Sequence, residues 1–171
     1  MTIKYRVSAL NTADARRVHG CDQAFAHQLV QALETSVPAR MHEKEGLTVA
    51  VERDVLKGSG LHEEATLQNV LVFSCVGQPK FARVMLVFDL VGDVLDVYTV
   101  LYGKPSRNYR KSARGKFGAK EDQASDEVLF YMGVGSAAGE VMDEFMDFRG
   151  SESARPGTRV SLESSQAAPL P

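Results

Sequence analysis

Residues 69–102 read NVLVFSCVGQPKFARVMLVFDLVGDVLDVYTVLY, and the punctuation inside this stretch decides the fold. Residues 69–76 are a continuous apolar run, the pattern of a central strand. Gly77, Gln78, Pro79 and Lys80 supply a turn, and 81–91 returns as a second strand. Gly92 and Asp93 form a two-residue hairpin connection that begins with glycine. The third strand, 94–102, is apolar except where Asp96 and Thr99 interrupt it. Three consecutive hairpin-connected strands predict an antiparallel meander.

Working outward, Gly46 opens another strand, with Leu47, Val49, Val51 and Val55 on one face and Thr48, Ala50, Glu52 and Asp54 on the other. Residues 57–60 read as a loop. Residues 3–9 alternate as a short edge strand. Asn11 with Asp14 predicts the start of a helix whose apolar face carries Val18, Cys21, Phe25, Leu29, Ala32 and Leu33, and which Pro38 ends. Downstream, 103–126 predicts a long polar loop and 128–134 a last strand. Ser136 caps a final helix with Ala137, Val141, Phe145 and Phe148 inward, Met142 and Met146 flanking them, and Glu140, Asp143, Glu144 and Asp147 outward. The fold class is therefore α+β, a twisted antiparallel β-meander of about five to six strands with an N-terminal and a C-terminal helix packed on it. One domain spans 1–150, and 151–171, rich in Ser, Pro and Ala, is a disordered tail.

Composition bounds the function classes. With 44% hydrophobic and 25% charged residues in 171, the chain can bury a core without metal or disulfide staples. Cys21 and Cys75 belong to no CxxC pair and read as small buried hydrophobes. No window reaches the roughly 18 apolar residues of a membrane span. Lys4, Arg6, Arg16 and Arg17 against a lone Asp14 fit a mitochondrial presequence; an edge strand running into a capped helix explains the same residues.

Catalytic patterns fall short. His62, Glu63 and Glu64 would need a second histidine at 66 to make HExxH, and that position is Thr66. Gly133, Gly135 and Gly139 miss GxGxxG by one residue and lack the flanking unit. His19 and His27 lie eight apart, twice the helical spacing of a zinc pair. Asp89, Asp93 and Asp96 surround one hairpin, where turn chemistry and edge protection explain them. The reading is a binding protein rather than an enzyme, with no cofactor and no metal.

Charge is distributed unevenly. Seven basic residues and no acid lie between Lys104 and Lys120: Lys104, Arg107, Arg110, Lys111, Arg114, Lys116 and Lys120. Removing those seven from a net charge of −2 leaves −9 on the rest. With Tyr109 and Phe117 interleaved, this segment offers phosphate neutralisation and stacking surfaces to a single-stranded nucleic acid, or cations to an acidic protein surface. The outer carboxylates Glu140, Asp143, Glu144 and Asp147 suit a basic partner. A small-ligand carrier is a third reading, with a void beneath the sheet lined by Phe73, Met85 and Tyr98.

The stretches 46–52 (GLTVAVE), 69–75 (NVLVFSC) and above all 142–150 (MDEFMDFRG) resemble the mitochondrial glycoprotein family of acidic matrix proteins over about residues 15–150. That family continues past Arg-Gly into a further helix, and it is acidic throughout. The resemblance implies a twisted antiparallel sheet between terminal helices. It also implies a non-catalytic oligomeric adaptor or chaperone-like protein of the mitochondrial matrix, acting with RNA-processing or ribosomal proteins or with RNA. A cytoplasmic location is the alternative.

Overall fold

A computed structural model of the chain describes residues 2–5, 16–58, 67–107, 109–110 and 121–153. In chain order the elements are β1 (Thr2–Tyr5), β2 (Arg16–His19), α1 (Gln23–Glu45), β3 (Val49–Gly58), β4 (Leu67–Cys75), β5 (Arg83–Val91), β6 (Val94–Tyr102) and α2 (Glu121–Ser153). The sheet order is β1-β3-β4-β5-β6-β2. Five strands, β3 to β6 with β2, are antiparallel, and β1 adds to β3 in parallel at one edge. The expected α+β meander between two helices is present.

Both hairpin turns around β5 form where the quoted stretch places them. Val91 pairs with Val94, leaving only Gly92 and Asp93 between the strands. Gly92 has φ +64° while Asp93 stays at negative φ, the signature of a type II′ turn, whose twist suits the flanking strands.

The sheet buries residues on both faces. Leu71, Phe73, Val84, Leu86, Phe88, Leu95 and Val97 join side chains of both helices in one core. Val70, Val72, Met85 and Val87 form a second cluster on the opposite face, with Tyr98, Val100 and Tyr102 beside it. Double burial explains why 69–76 and 84–88 carry no polar alternation.

Three expectations need correction. The first helix does not begin near Asn11, because 16–19 forms β2 on the edge of β6 and Val18 reaches the core from a strand. Gly20 at φ +69° turns the chain, and Asp22 then caps α1 by accepting the Phe25 N–H at 2.7 Å. Pro38 does not end that helix. The buried stripe Phe25, Leu29, Leu33, Val37 and Met41 runs past it, and α1 closes only at Gly46. An interior proline costs about 3 kcal/mol, but each buried aliphatic or aromatic side chain contributes about 1.5–3 kcal/mol. Burial on both sides of Pro38 outweighs the break.

The third correction concerns 128–134, which is helix and not strand. Its buried positions continue a helical repeat, Glu127, Phe130, Tyr131, Val134, Ala137, Ala138 and Val141, while Leu129 and Met132 are exposed. The sixth strand is β2 instead. Helix starts at Glu121, inside the stretch read as loop, and continues past Gly150 to Ser153. The remainder of 151–171 lies outside the described residues.

The helices run antiparallel on one face of the sheet. Phe25 near the start of α1 meets Phe145 near the end of α2, with ring centroids 5.2 Å apart. Met41 near the end of α1 lies against Gly133, where a Cβ would stand 2.8 Å from its Sδ. A side chain at 133 would require the end of Met41 to move.

Replacing Pro38 with alanine restores an N–H for the Glu34 carbonyl and relieves the ring clash. We expect Pro38→Ala to stabilise the protein by about 1–2 kcal/mol, read as a raised urea midpoint with unchanged slope. A lowered midpoint would show that the proline ring is itself required for packing.

Candidate functional site

The basic segment leaves β6 at Gly103 and is fixed at its root by a buried carboxylate. Glu127, in α2, is only 1% exposed. An unsatisfied charge there would be costly, so donors converge on it. The Ser106 N–H donates to Oε1 at 2.7 Å, and the Ser106 hydroxyl donates to Oε2. The Tyr131 hydroxyl, one helical turn on, donates to Oε1 at 2.6 Å and accepts the Ala82 N–H at 2.8 Å. Burial, with Glu127 as acceptor, pushes the Tyr131 hydroxyl well above its ordinary pKa. One network thus joins the start of β5, the root of the basic segment and the early turns of α2.

Beyond this anchor, Ser106 Oγ accepts the Tyr109 N–H at 3.1 Å, and the Arg110 N–H returns to the Ser106 carbonyl at 3.1 Å. Tyr109 turns inward, its ring edge-on to Tyr131 with centroids 5.0 Å apart. It packs against the core and so is not the stacking platform that the interleaved pattern suggested. Lys104, Arg107 and Arg110 are exposed, and none forms an ion pair with any described carboxylate. Lys111, Arg114, Lys116, Phe117 and Lys120 lie outside the described residues.

The acidic face of α2 is differently disposed. Arg40 donates to Glu140 at 2.8 Å and to Glu144 at 2.5 Å, and Lys44 reaches Glu140 at 2.6 Å. Arg16 pairs with Asp143 at 2.5 Å and bonds the Gly139 carbonyl at 3.3 Å. Three of the four carboxylates expected to meet a basic partner are thus engaged by cations of α1 and β2. The Asp147 side chain is outside the description. Such exposed or half-buried pairs are individually weak; those of Arg40 and Lys44 align α1 with α2, and that of Arg16 ties β2 to α2. Lys44 first, then Arg40, hold the Glu140 carboxyl below its usual range.

Other expected chemistry is dispersed. Asp89 and Asp96 are cross-strand partners. Arg17 grips Asp96 with two bonds of 2.8 and 2.9 Å and lowers its pKa. Among the described residues no group of three or more His, Cys, Asp or Glu could hold a metal ion, and no described helix is long and apolar enough to cross a membrane. Cys21 and Cys75 are buried, unbridged thiols. Phe73 belongs to the helix-side core while Met85 and Tyr98 belong to the opposite face. Those three cannot line one void, because β-strand alternation sends them to different sides.

The sequence reading missed Ser106, Glu127, Arg40 and Lys44. One signal was available for Glu127: an acid at the head of the apolar stripe that continues through Phe130, Tyr131 and Val134.

Two outcomes follow. Glu127→Ala leaves the Ser106 N–H and Tyr131 hydroxyl without their acceptor and should destabilise by about 2–4 kcal/mol in urea unfolding. It should also speed tryptic cleavage within 104–120. Glu127→Gln keeps an acceptor and should fall between. Equal stability of all three proteins would deny the anchor. For Glu140, a folded-state pKa below the free value of about 4.5 means its contribution is present above that pH and is lost as pH falls through the lowered value. Thermal unfolding of Glu140→Gln should therefore show its largest deficit near neutrality and converge on the parent in acid; a pH-independent deficit would refute the pairing.

Comparison with protein-family models, with curated proteins and with solved structures found no match.

Proposed function

We propose that this chain is a non-catalytic adaptor or assembly protein that presents the basic segment 104–120 to an acidic protein surface. The observation that carries the reading is the contrast between its two charged regions. The carboxylates Glu140, Asp143 and Glu144 are occupied by the chain's own cations, whereas Lys104, Arg107 and Arg110 are exposed and unpaired among the described residues. Unpaired cations on an anchored root keep their long-range attraction for an acidic surface without a prior ion pair to break. Tyr109 packs inward, which removes one of two aromatic rings from base stacking and favours protein over nucleic acid.

The same proposal takes in what the sequence resemblance implies, an oligomeric adaptor of the mitochondrial matrix that acts with RNA-processing or ribosomal proteins. The oligomer is part of it.

The test uses the full chain, labelled poly-glutamate and a labelled single-stranded RNA, with anisotropy read across a salt series. Poly-glutamate should bind, and replacing Lys104, Arg107, Arg110, Lys111, Arg114 and Lys116 by glutamine should weaken it about tenfold or more and flatten its salt dependence. Tighter, salt-steep binding of RNA would transfer the segment to nucleic acid. Binding of neither probe would overturn the proposal. A clean monomer in sedimentation at micromolar concentration would remove the oligomer.

A further inference from the structure

At the end of the sheet opposite Tyr102, the first turns of α1 stand off from the strands and leave a groove of about 820 Å³. Ala26 and Val30 form its helix side, and Phe88, Leu90 and Leu95 form its apolar floor. Its polar groups sit at the border: His27 on α1, Arg53 on β3 and Asn69 on β4. Alternation fixes their direction. Arg53 shares a face with the core residues Val49 and Val51, and Asn69 shares one with Leu71 and Phe73, so both side chains rise on the helix side. Asp54 and Asp89 also border the groove, but the same alternation carries their carboxylates to the other face.

On the groove side the charge of Arg53 is therefore paired with that of Glu34. Arg53 donates from Nε at 2.9 Å, and from Nη2, to a single oxygen of Glu34. That contact holds the Glu34 carboxyl below its usual range and orients the guanidinium, leaving Nη1 for another acceptor. Beside an apolar floor stand a fixed guanidinium, an amide and an imidazole. The volume lies within the usual range of small-molecule sites, roughly 300–1,000 Å³.

We propose that this groove binds a small amphiphile with an apolar body and a carboxylate head, the body on Val30, Phe88 and Leu95 and the head at Arg53 and Asn69. Donor complementarity selects this occupant: a carboxylate accepts from Arg53 Nη1 and the Asn69 amide, whereas a cationic head brings no acceptor to either. The site is separate from the segment 104–120, and it stands or falls independently of the adaptor reading.

The experiment titrates the full chain with dansyl-labelled undecanoic acid and, in parallel, with the matching dansyl-labelled alcohol. Saturable fluorescence enhancement by the acid at micromolar concentration is expected, with weaker enhancement by the alcohol. Val30→Trp fills the groove and should abolish both. Arg53→Gln should weaken the acid about tenfold and leave the alcohol unchanged. Glu34→Gln breaks the same ion pair but frees the guanidinium, so it should tighten the acid a few-fold, again without effect on the alcohol. Thermal unfolding reports whether each variant is folded, and the Glu34 variant keeps the test alive if the Arg53 variant is not. Absence of saturable binding by the parent overturns the proposal. So does a common loss of both probes in the Arg53 and Glu34 variants, since that pattern marks the ion pair as purely structural.

Discussion

A carboxylate held 1% exposed inside an otherwise apolar packing layer constrains everything that touches it. Glu127 requires donors, and the donors come from three different parts of the chain: the backbone at Ser106, the hydroxyl of Tyr131, and through that hydroxyl the backbone at Ala82. The path from β6 to α2 is thereby tied to the entry of β5. Removing any one donor leaves the charge short, which makes the arrangement cooperative. The basic segment consequently starts from a fixed point, with Lys104, Arg107 and Arg110 facing solvent around a root that Tyr109 and Ser106 hold against the core.

The helix pair solves a second problem. A sheet apolar on its helix side must be covered, and α1 and α2 share that cover with their axes opposed. Phe25 meets Phe145 at one end and Met41 meets Gly133 at the other. Arg40, Lys44 and Arg16 then neutralise the carboxylates of α2. Exposed pairs of this kind add little energy singly. Their effect is on alignment, since a shift of α1 by one turn would leave both signs unpaired. The acidic pattern on the last helix is thus largely a fastening to α1 and β2.

How much of this the sequence carried depends on which force dominated each element. The meander was legible because turn residues such as Gly92 and Asp93 act locally, and β4 and β5 are buried on both faces. Residues 128–134 were not, because Val128, Leu129, Phe130 and Met132 satisfy a strand and a helix about equally over so short a window. Only the burial of Glu127, Tyr131 and Val134 against the sheet selects the helix. Pro38 misled for a related reason: its local cost is visible in sequence, while the stripe that overrides it gains its energy from α2, a hundred residues away. Glu140, Asp143 and Glu144 lie on the last helix, but their partners Arg40 and Arg16 are separated from them by similar distances along the chain, beyond what a pattern reveals. The groove was invisible for the same reason, since it exists only where α1 parts from the sheet.

The root of the basic segment and the groove lie at opposite ends of β6. The segment departs beyond Tyr102, and Leu95 belongs to the floor of the groove. Seven residues of strand separate them, roughly 23 Å at the usual rise. That is more than twice the screening length at physiological salt, about 8 Å, so Lys104 at the root exerts little force on an anion in the groove. Coupling between the root and the groove would have to travel through packing. The path available is the helix pair, because α2 carries Glu127 near its start and meets Phe25 of α1 near its end. A ligand that pressed α1 away from the strands would strain the contacts at Phe145 and at Gly133, and only by that route could it reach the root of the basic segment.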